Sequence, residues 1–455
     1  MNYNFSDKIF YHIYALGMGG CDKRNNFSCP AGNFFEGLEN ELDRIKSLGC
    51  NAILIGPVFE STAHGYDTVD YYHIDRRLGN NEKFKHFSQV CHEKGFSVCL
   101  DAVFNHTGRD FFAFKDIQQN GENSQYKDWY LNLNFSRRSN LGDCFDYDGW
   151  AGCKDLVKLN VENTDVQNHL FGAVKYWIEA FGIDGLRLDA ADVLSKKFLD
   201  NLGAFCRGIK SDFWLMGEVV HGDYLQWAME GRIDSVTNYQ IYKALWSSLN
   251  EQNFYELSYN LNREFGEKDG IYKYSPLYTF VDNHDVDRIG STLKNPQKHL
   301  YLLYALEFMI PGIPSIYYGS EWGIKGKRNS EGDYELRPCL PPFVSELPSF
   351  SVPDFDYAFL PDSIRFFSRL RKENIALQRG NYRQEYISNR QFAFWREYEN
   401  QKILIIANSD FQKANVCLNV PSGEYEDLGS GKKIHSNDLK GYNLDAASIV
   451  VLRRK

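Results

Sequence analysis

Eight short, apolar, β-rich runs separated by helix-period stretches constrain this chain more than any other feature. The runs are Ile9–Leu16, Ala52–Phe59, Ser97–Phe104, Gly185–Val193, Phe213–Val220, Ser235–Ile241, Leu277–Asp282 and Ile313–Tyr318. Between them, apolar residues recur at helical spacing over Phe34–Leu48, Glu82–Lys94, Val166–Phe181 and Lys196–Ile209. A helix between two strands carries the chain back across the sheet, so the strands it joins run parallel. Eight such units predict a closed (β/α)8 TIM barrel.

Two segments break that rhythm. Residues 107–160 are rich in Asn, Asp, Gly and Trp with weak periodicity, and so long an excursion after the third strand predicts a small inserted domain. From about residue 376 the pattern becomes alternation, with turn signals at Pro421-Ser422-Gly423 and Gly429-Ser430-Gly431, which predicts a C-terminal antiparallel β-sandwich domain over residues 376–455. The barrel is then residues 1–106 and 161–375.

Composition narrows the function classes. A net charge of −9 argues against a nucleic-acid or anionic-membrane partner. The longest apolar stretch, Tyr301–Tyr318, contains Glu307, Pro311, Gly312 and Pro314, so it reads as a buried barrel segment rather than a membrane span. Met1–Lys8 has no apolar signal core, and ten cysteines are scattered singly without a C-x-x-C pair. Both features predict a cytoplasmic protein with free thiols.

Polar residues just past the C-terminal ends of barrel strands converge on one face, where barrel chemistry sits. Four runs end in acids or imidazoles: Asp101 to His106, Arg187 to Asp192, Glu218 to His221, and Asp282 to Arg288. A single such Asp is most simply a solvated cap, but four on one rim are not. Alternation puts Arg187 beside Asp189 on one strand face, where it should hold that carboxylate ionised and lower its pKa. Glu218 follows the apolar Phe213–Met216, a drier place that should raise its pKa and keep it protonated. Two carboxyls pushed apart in pKa are what glycoside cleavage requires.

These motifs resemble the signatures of the α-amylase family of glycoside hydrolases over the whole chain. Asp101–His106, Gly185–Asp192, Gly217–Val220 and Phe280–Asp285 resemble its four main signatures, in order. Lys158-Leu159-Asn160, Gly312–Gly319 and the segment His64–Asp75 resemble three further ones. The resemblance implies Asp189 as nucleophile, Glu218 as acid/base and Asp285 as the carboxylate gripping the sugar's 2- and 3-hydroxyls. It implies that His106 and His284 bond sugar hydroxyls and that Tyr66 stacks on the same ring. The implied reaction is double displacement with retention, for which the two carboxyls should lie about 5–5.5 Å apart.

Within the family, Glu218–Asp223 is similar to the segment in cyclomaltodextrinases, neopullulanases and maltogenic amylases, although a Trp commonly replaces Val220 there. That group often carries an extra N-terminal β-domain that drives dimerisation. This chain opens at the first barrel strand, so a monomer or weak oligomer acting on small oligosaccharides is expected. Asp67 and Arg337 resemble a pair that caps the non-reducing end of short substrates, with a surface ion pair as the competing reading. Asn105 matches a family calcium ligand, but Asp192 stands where calcium-binding members usually have His, and no D-x-D-x-D-G loop is present. No metal or other cofactor is therefore expected to be required, and calcium, though allowed, is not favoured. The resemblance leaves a glucanotransferase or phosphorylase on the same scaffold as the alternative. A non-catalytic carbohydrate-binding homologue would lack the acid and nucleophile that stand here.

Overall fold

The computed structural model describes residues 5–228, 232–330, 332–344 and 359–455. Eight parallel strands, β1 (Phe10–Ile13), β2 (Ala52–Ile55), β3 (Ser97–Ala102), β4 (Gly185–Leu188), β5 (Trp214–Gly217), β6 (Ser235–Val236), β7 (Tyr278–Phe280) and β8 (Ile313–Tyr317), form one sheet in the order β6-β5-β4-β3-β2-β1-β8-β7. The sheet closes where Thr237 bridges Tyr278 and the Asn238 N–H donates to the Tyr278 carbonyl (2.8 Å). The structure is thus the (β/α)8 barrel that the alternation predicts.

Side chains pointing inward alternate along each strand. Phe10, Leu54, Cys99, Trp214, Tyr278 and Ile313 fill the lower barrel, and Phe5 stacks on Trp214 beneath them at 4.9 Å. One inward step higher stand His12, Asp101, Arg187 and Ser315. The floor of the site is therefore an aromatic plug, and its walls are the next inward residues of the same strands. Gly185 makes this possible: a Cβ there would lie 2.7 Å from the Trp214 carbonyl oxygen.

Two elements end earlier than the sequence pattern suggests. The sixth run stops at Val236, because Asn238 leaves the sheet to cap the helix Tyr239–Asn250, its Oδ1 accepting from Ile241 N–H (2.9 Å). The helical stretch Phe34–Leu48 splits into Phe34–Glu39 and Leu42–Ser47, and at the break Asn40 donates its side-chain amide to the Glu36 carbonyl (3.1 Å). The apolar stretch Tyr301–Tyr318 is the end of helix Pro296–Met309 followed by β8. Among the described residues, no helix is long and apolar enough to cross a membrane.

After β3, strands His106–Gly108, Cys153–Lys158 and Gly149–Trp150 make a small antiparallel sheet over Phe114, Tyr130 and Tyr147. Past the barrel, a six-stranded antiparallel sheet begins with Asn381–Ile387, Gln391–Tyr398 and Gln401–Asn408, and buries Trp395, Leu404 and Ile406. Two buried arginines, Arg396 of this sheet and Arg371 of the helix Phe359–Glu373, hold the segment that leads into β8. Arg396 donates to the Met309 carbonyl (2.7 Å), and Arg371 donates to the carbonyls of Phe308 (2.9 Å), Ile310 and Gly312. Both place positive charge on the C-terminal end of the helix that feeds β8.

Glu307, on that same helix, is buried, and burial pushes its carboxyl up to about 7. The fold keeps the proton that the unfolded chain releases near pH 4.5, so stability should fall as pH rises from about 4.5 to 7 and level off above. Glu307→Gln should remove its share of this fall, raising stability at pH 8 relative to wild type by about 3 kcal/mol at most, while the shares of the other raised carboxyls, among them Glu264, remain. Paired thermal melts at pH 5 and pH 8 measure it, and an unchanged pH dependence would refute it.

Candidate active site

The inward positions at the upper end of β3, β4 and β5 converge on one guanidinium. Arg187 lies opposite Asp101 in the parallel register of β3 and β4 and opposite Met216 in that of β4 and β5. Its Nη1 donates to both oxygens of Asp101 (2.8 and 2.9 Å) and to Asp189 Oδ1 (3.0 Å), while its Nη2 faces Glu218 Oε2 at 2.9 Å. A single buried cation thus holds three carboxyls from three strands.

The turn after β4 completes the pairing. Ala190 adopts a left-handed conformation (φ 46°, ψ 43°), uncommon for a residue with a Cβ. Its N–H thereby donates to Glu218 Oε2 at 3.1 Å. Glu218 Oε1 receives a longer bond from the Tyr239 hydroxyl (3.4 Å), which itself accepts from Asn283 Nδ2 (3.2 Å).

Burial pushes the Glu218 carboxyl up, against the opposing pull of Arg187, in the direction its apolar approach predicts. Asp189 departs from expectation. Burial, helped by the neighbouring Glu218 and Asp101, lifts it well above the ordinary carboxylate range and outweighs Arg187. The sequence reading lets Arg187 serve Asp189 alone, whereas the guanidinium is shared three ways. One positive charge shared three ways does not outweigh burial, so the carboxyls of Asp189 and Glu218 are both pushed up.

Asp285 belongs to a second charge cluster. His284 Nε2 meets Asp285 Oδ2 at 2.9 Å, and Arg337 Nη2 donates to Asp285 Oδ1 at 2.9 Å. Burial would raise this carboxyl, but His284 and Arg337 hold it well below its usual range. Tyr66 joins the clusters: its hydroxyl donates to Asp101 Oδ2 (2.9 Å) and contacts His284 Nε2, and its ring stacks on the His284 ring at 5.5 Å. His106 is buried at the start of the inserted segment, with Nδ1 bonded to the Asn105 amide (3.1 Å), Nε2 without a hydrogen-bond partner, and its pKa pushed down to about 3 by burial. A neutral imidazole with a spare nitrogen suits a sugar hydroxyl.

The structure therefore brings together Asp189, Glu218, Asp285, Arg187, Tyr66, His284 and Arg337. Asp67 and Arg337 form no surface ion pair. Asp67 is buried and accepts from the His64 N–H (3.1 Å), while Arg337 is divided between Asp285, Asp333 (3.2 Å) and the His284 carbonyl. Sequence reasoning missed three participants: Tyr239, Asp333, and Tyr14, whose ring lies under the Arg337 guanidinium (4.6 Å) and stacks on His284. Tyr14 follows β1 directly and Tyr239 opens the helix after β6, and no local signal in the sequence sets either apart. Asn105 commits its amide to His106, and no group of three or more His, Cys, Asp or Glu residues among those described is arranged to hold a metal ion.

A buried pair of carboxyls bridged by one guanidinium, both pushed up by burial, is equipped for acid-assisted displacement at an anomeric carbon. The model of the α-amylase catalytic domain matches residues 24–336. The chain belongs to the α-amylase family, and like its relatives it is a glycoside hydrolase. It is 32% identical to a cyclomaltodextrinase of Bacillus sp over 441 residues, which is 92% of this chain and 75% of that one. It is 30% identical to a maltogenic α-amylase of Bacillus acidopullulyticus over 92% of this chain and 72% of the relative. A solved cyclomaltodextrinase structure superposes with a TM-score of 0.84 at 28% identity, covering 99% of this chain and 78% of that one.

Arg187→Lys tests the shared guanidinium. A point charge on a flexible stem cannot reach three carboxyls at once, so kcat should fall about a thousandfold or more while circular dichroism stays native. Activity within tenfold of wild type would refute the role.

Proposed function

We propose that this family member cleaves α-glucosidic bonds in short maltooligosaccharides and cyclodextrins by double displacement with retention. The observation that carries the reading is the bridging of Asp189 and Glu218 by one buried guanidinium. Glu218 donates its proton to the glycosidic oxygen while Asp189 attacks the anomeric carbon, and a glycosyl ester forms as the leaving sugar departs. Glu218, now ionised, takes a proton from water, whose oxygen breaks the ester and restores the original configuration. Asp285 and His284 bind ring hydroxyls, Tyr66 covers the ring, and Arg337 steadies Asp285. The names of the relatives, cyclomaltodextrinase and maltogenic α-amylase, support the substrate class. Ten unpaired cysteines support action in a reducing compartment, which we take to be the cytoplasm.

Asp189→Asn should reduce turnover of maltotriose and β-cyclodextrin by at least about 10,000-fold without altering the melting temperature. A 5-fluoroglucosyl fluoride should label the wild-type enzyme at residue 189 in a peptide digest. Labelling elsewhere, or a D189N enzyme that still turns over, would remove Asp189 from the nucleophile role. We further propose that no metal takes part: exhaustive dialysis against EDTA should leave activity intact, and a loss restored by calcium alone would overturn this.

A further inference from the structure

Three cavities lie side by side along the loop that follows β2. The first, about 420 Å³, reaches Arg337 and Tyr14 at the edge of the active site. It shares Ala63 and His64 with a second cavity of about 490 Å³. The second shares Asp110 with a third of about 680 Å³, which contains none of the catalytic carboxyls. We propose that this third cavity is a remote glucan-binding site, which holds one or two glucose units of a chain whose other end occupies the active site. The proposal rests on the α-glucan reading of that active site.

The chemistry of its walls is that of a neutral, hydroxyl-rich ligand with flat apolar faces. Phe112 opens the helix Phe112–Asn120 and packs edge-on against Tyr126 and Trp129 (5.3 and 5.7 Å), yet remains 43% exposed. Phe27 also lines the cavity and is 36% exposed. Its backbone is left-handed (φ 57°), a strained conformation for a phenylalanine. It is pinned there by Asn25 Oδ1, which accepts from the Phe27 N–H (2.8 Å), and by Arg76, which donates to the Phe27 carbonyl. Strain retained at a solvent-facing ring needs a reason other than core packing. Asp70 and His73, bonded to each other (2.8 Å), and Arg76 and Asp110 line the same cavity, and the buried His169 Nε2 beside Phe112 has no hydrogen-bond partner among the described residues. Aromatic faces stack on the C–H side of a sugar, and carboxylates and imidazoles bond its hydroxyls. The run of shared lining residues connects this place to the substrate's own.

Steady-state hydrolysis of maltotriose and maltoheptaose by wild-type, F112A and F27A enzymes tests the proposal. Each variant should leave maltotriose kcat/KM within about twofold and raise the KM for maltoheptaose about 5- to 10-fold. Unchanged KM for maltoheptaose in both variants would overturn it. Should F112A lose activity on both sugars, F27A and F112L decide instead, F112L keeping the apolar bulk without the flat ring. If wild type hydrolyses neither sugar, the proposed function fails, and titration calorimetry with maltoheptaose then reads the remote site alone. Binding by wild type that is lost in F112A upholds the site, and absent or unaltered binding removes it.

Discussion

Everything chemical in this molecule depends on the guanidinium of Arg187. It is buried inside the barrel, and three carboxyls from three successive strands lie within 3.0 Å of it. Buried charge is tolerated only when paired and fully hydrogen-bonded, so the arginine and its acids cannot be placed independently. Asp285 escapes the competition because His284 and Arg337 serve it separately. The site thus has two electrostatic halves: one where a single guanidinium is shared among three carboxyls and burial pushes two of them up, and one where His284 and Arg337 hold Asp285 low. Tyr66, bonded to Asp101 and in contact with His284, is the seam between them.

The scaffold beneath serves that arrangement. Inward side chains two residues apart on β4 and β5 run from Gly185 to Arg187 to Asp189 and from Trp214 to Met216 to Glu218, so the polar rim sits on the aromatic plug with no freedom to slide. A one-residue slip would turn the entire set outward. The clamp by Arg371 and Arg396 acts at the opposite end of the barrel from the site, fixing the turn into β8 by satisfying carbonyls that would otherwise be buried unpaired. Through Arg396 the C-terminal sheet is hydrogen-bonded to the end of the helix that leads into β8.

Much of this was legible in the sequence because strand alternation and strand-end polarity are local signals. All eight barrel strands, the position of Arg187 beside Asp189, and the drying of Glu218 follow from spacing alone. What was not legible depends on partners distant in sequence. The end of β6 is decided by Asn238, which caps a helix and closes the barrel against Tyr278. Tyr14 and Tyr239 carry no distinguishing local signal, because an aromatic residue at a strand end is equally at home in a core, and only its contact with Arg337 or Glu218 sets it apart. The pKa of Asp189 departs from its expected direction for the same reason: neither Asp101 nor Glu218 is near it in sequence, yet both compete for the same cation.

That raised pKa fits the proposed chemistry better than the expected one. A nucleophilic carboxylate comfortably neutralised by its own arginine would gain little when positive charge develops at the anomeric carbon. One whose anion is less fully compensated by the protein gains more from the same charge, because the interaction is strong only once the oxocarbenium-like transition state is reached. Differential stabilisation of this kind lowers the barrier, whereas tight pairing in the ground state would not. In the proposed chemistry, the sharing of Arg187 among three acids leaves Asp189 less tightly paired than an arginine of its own would.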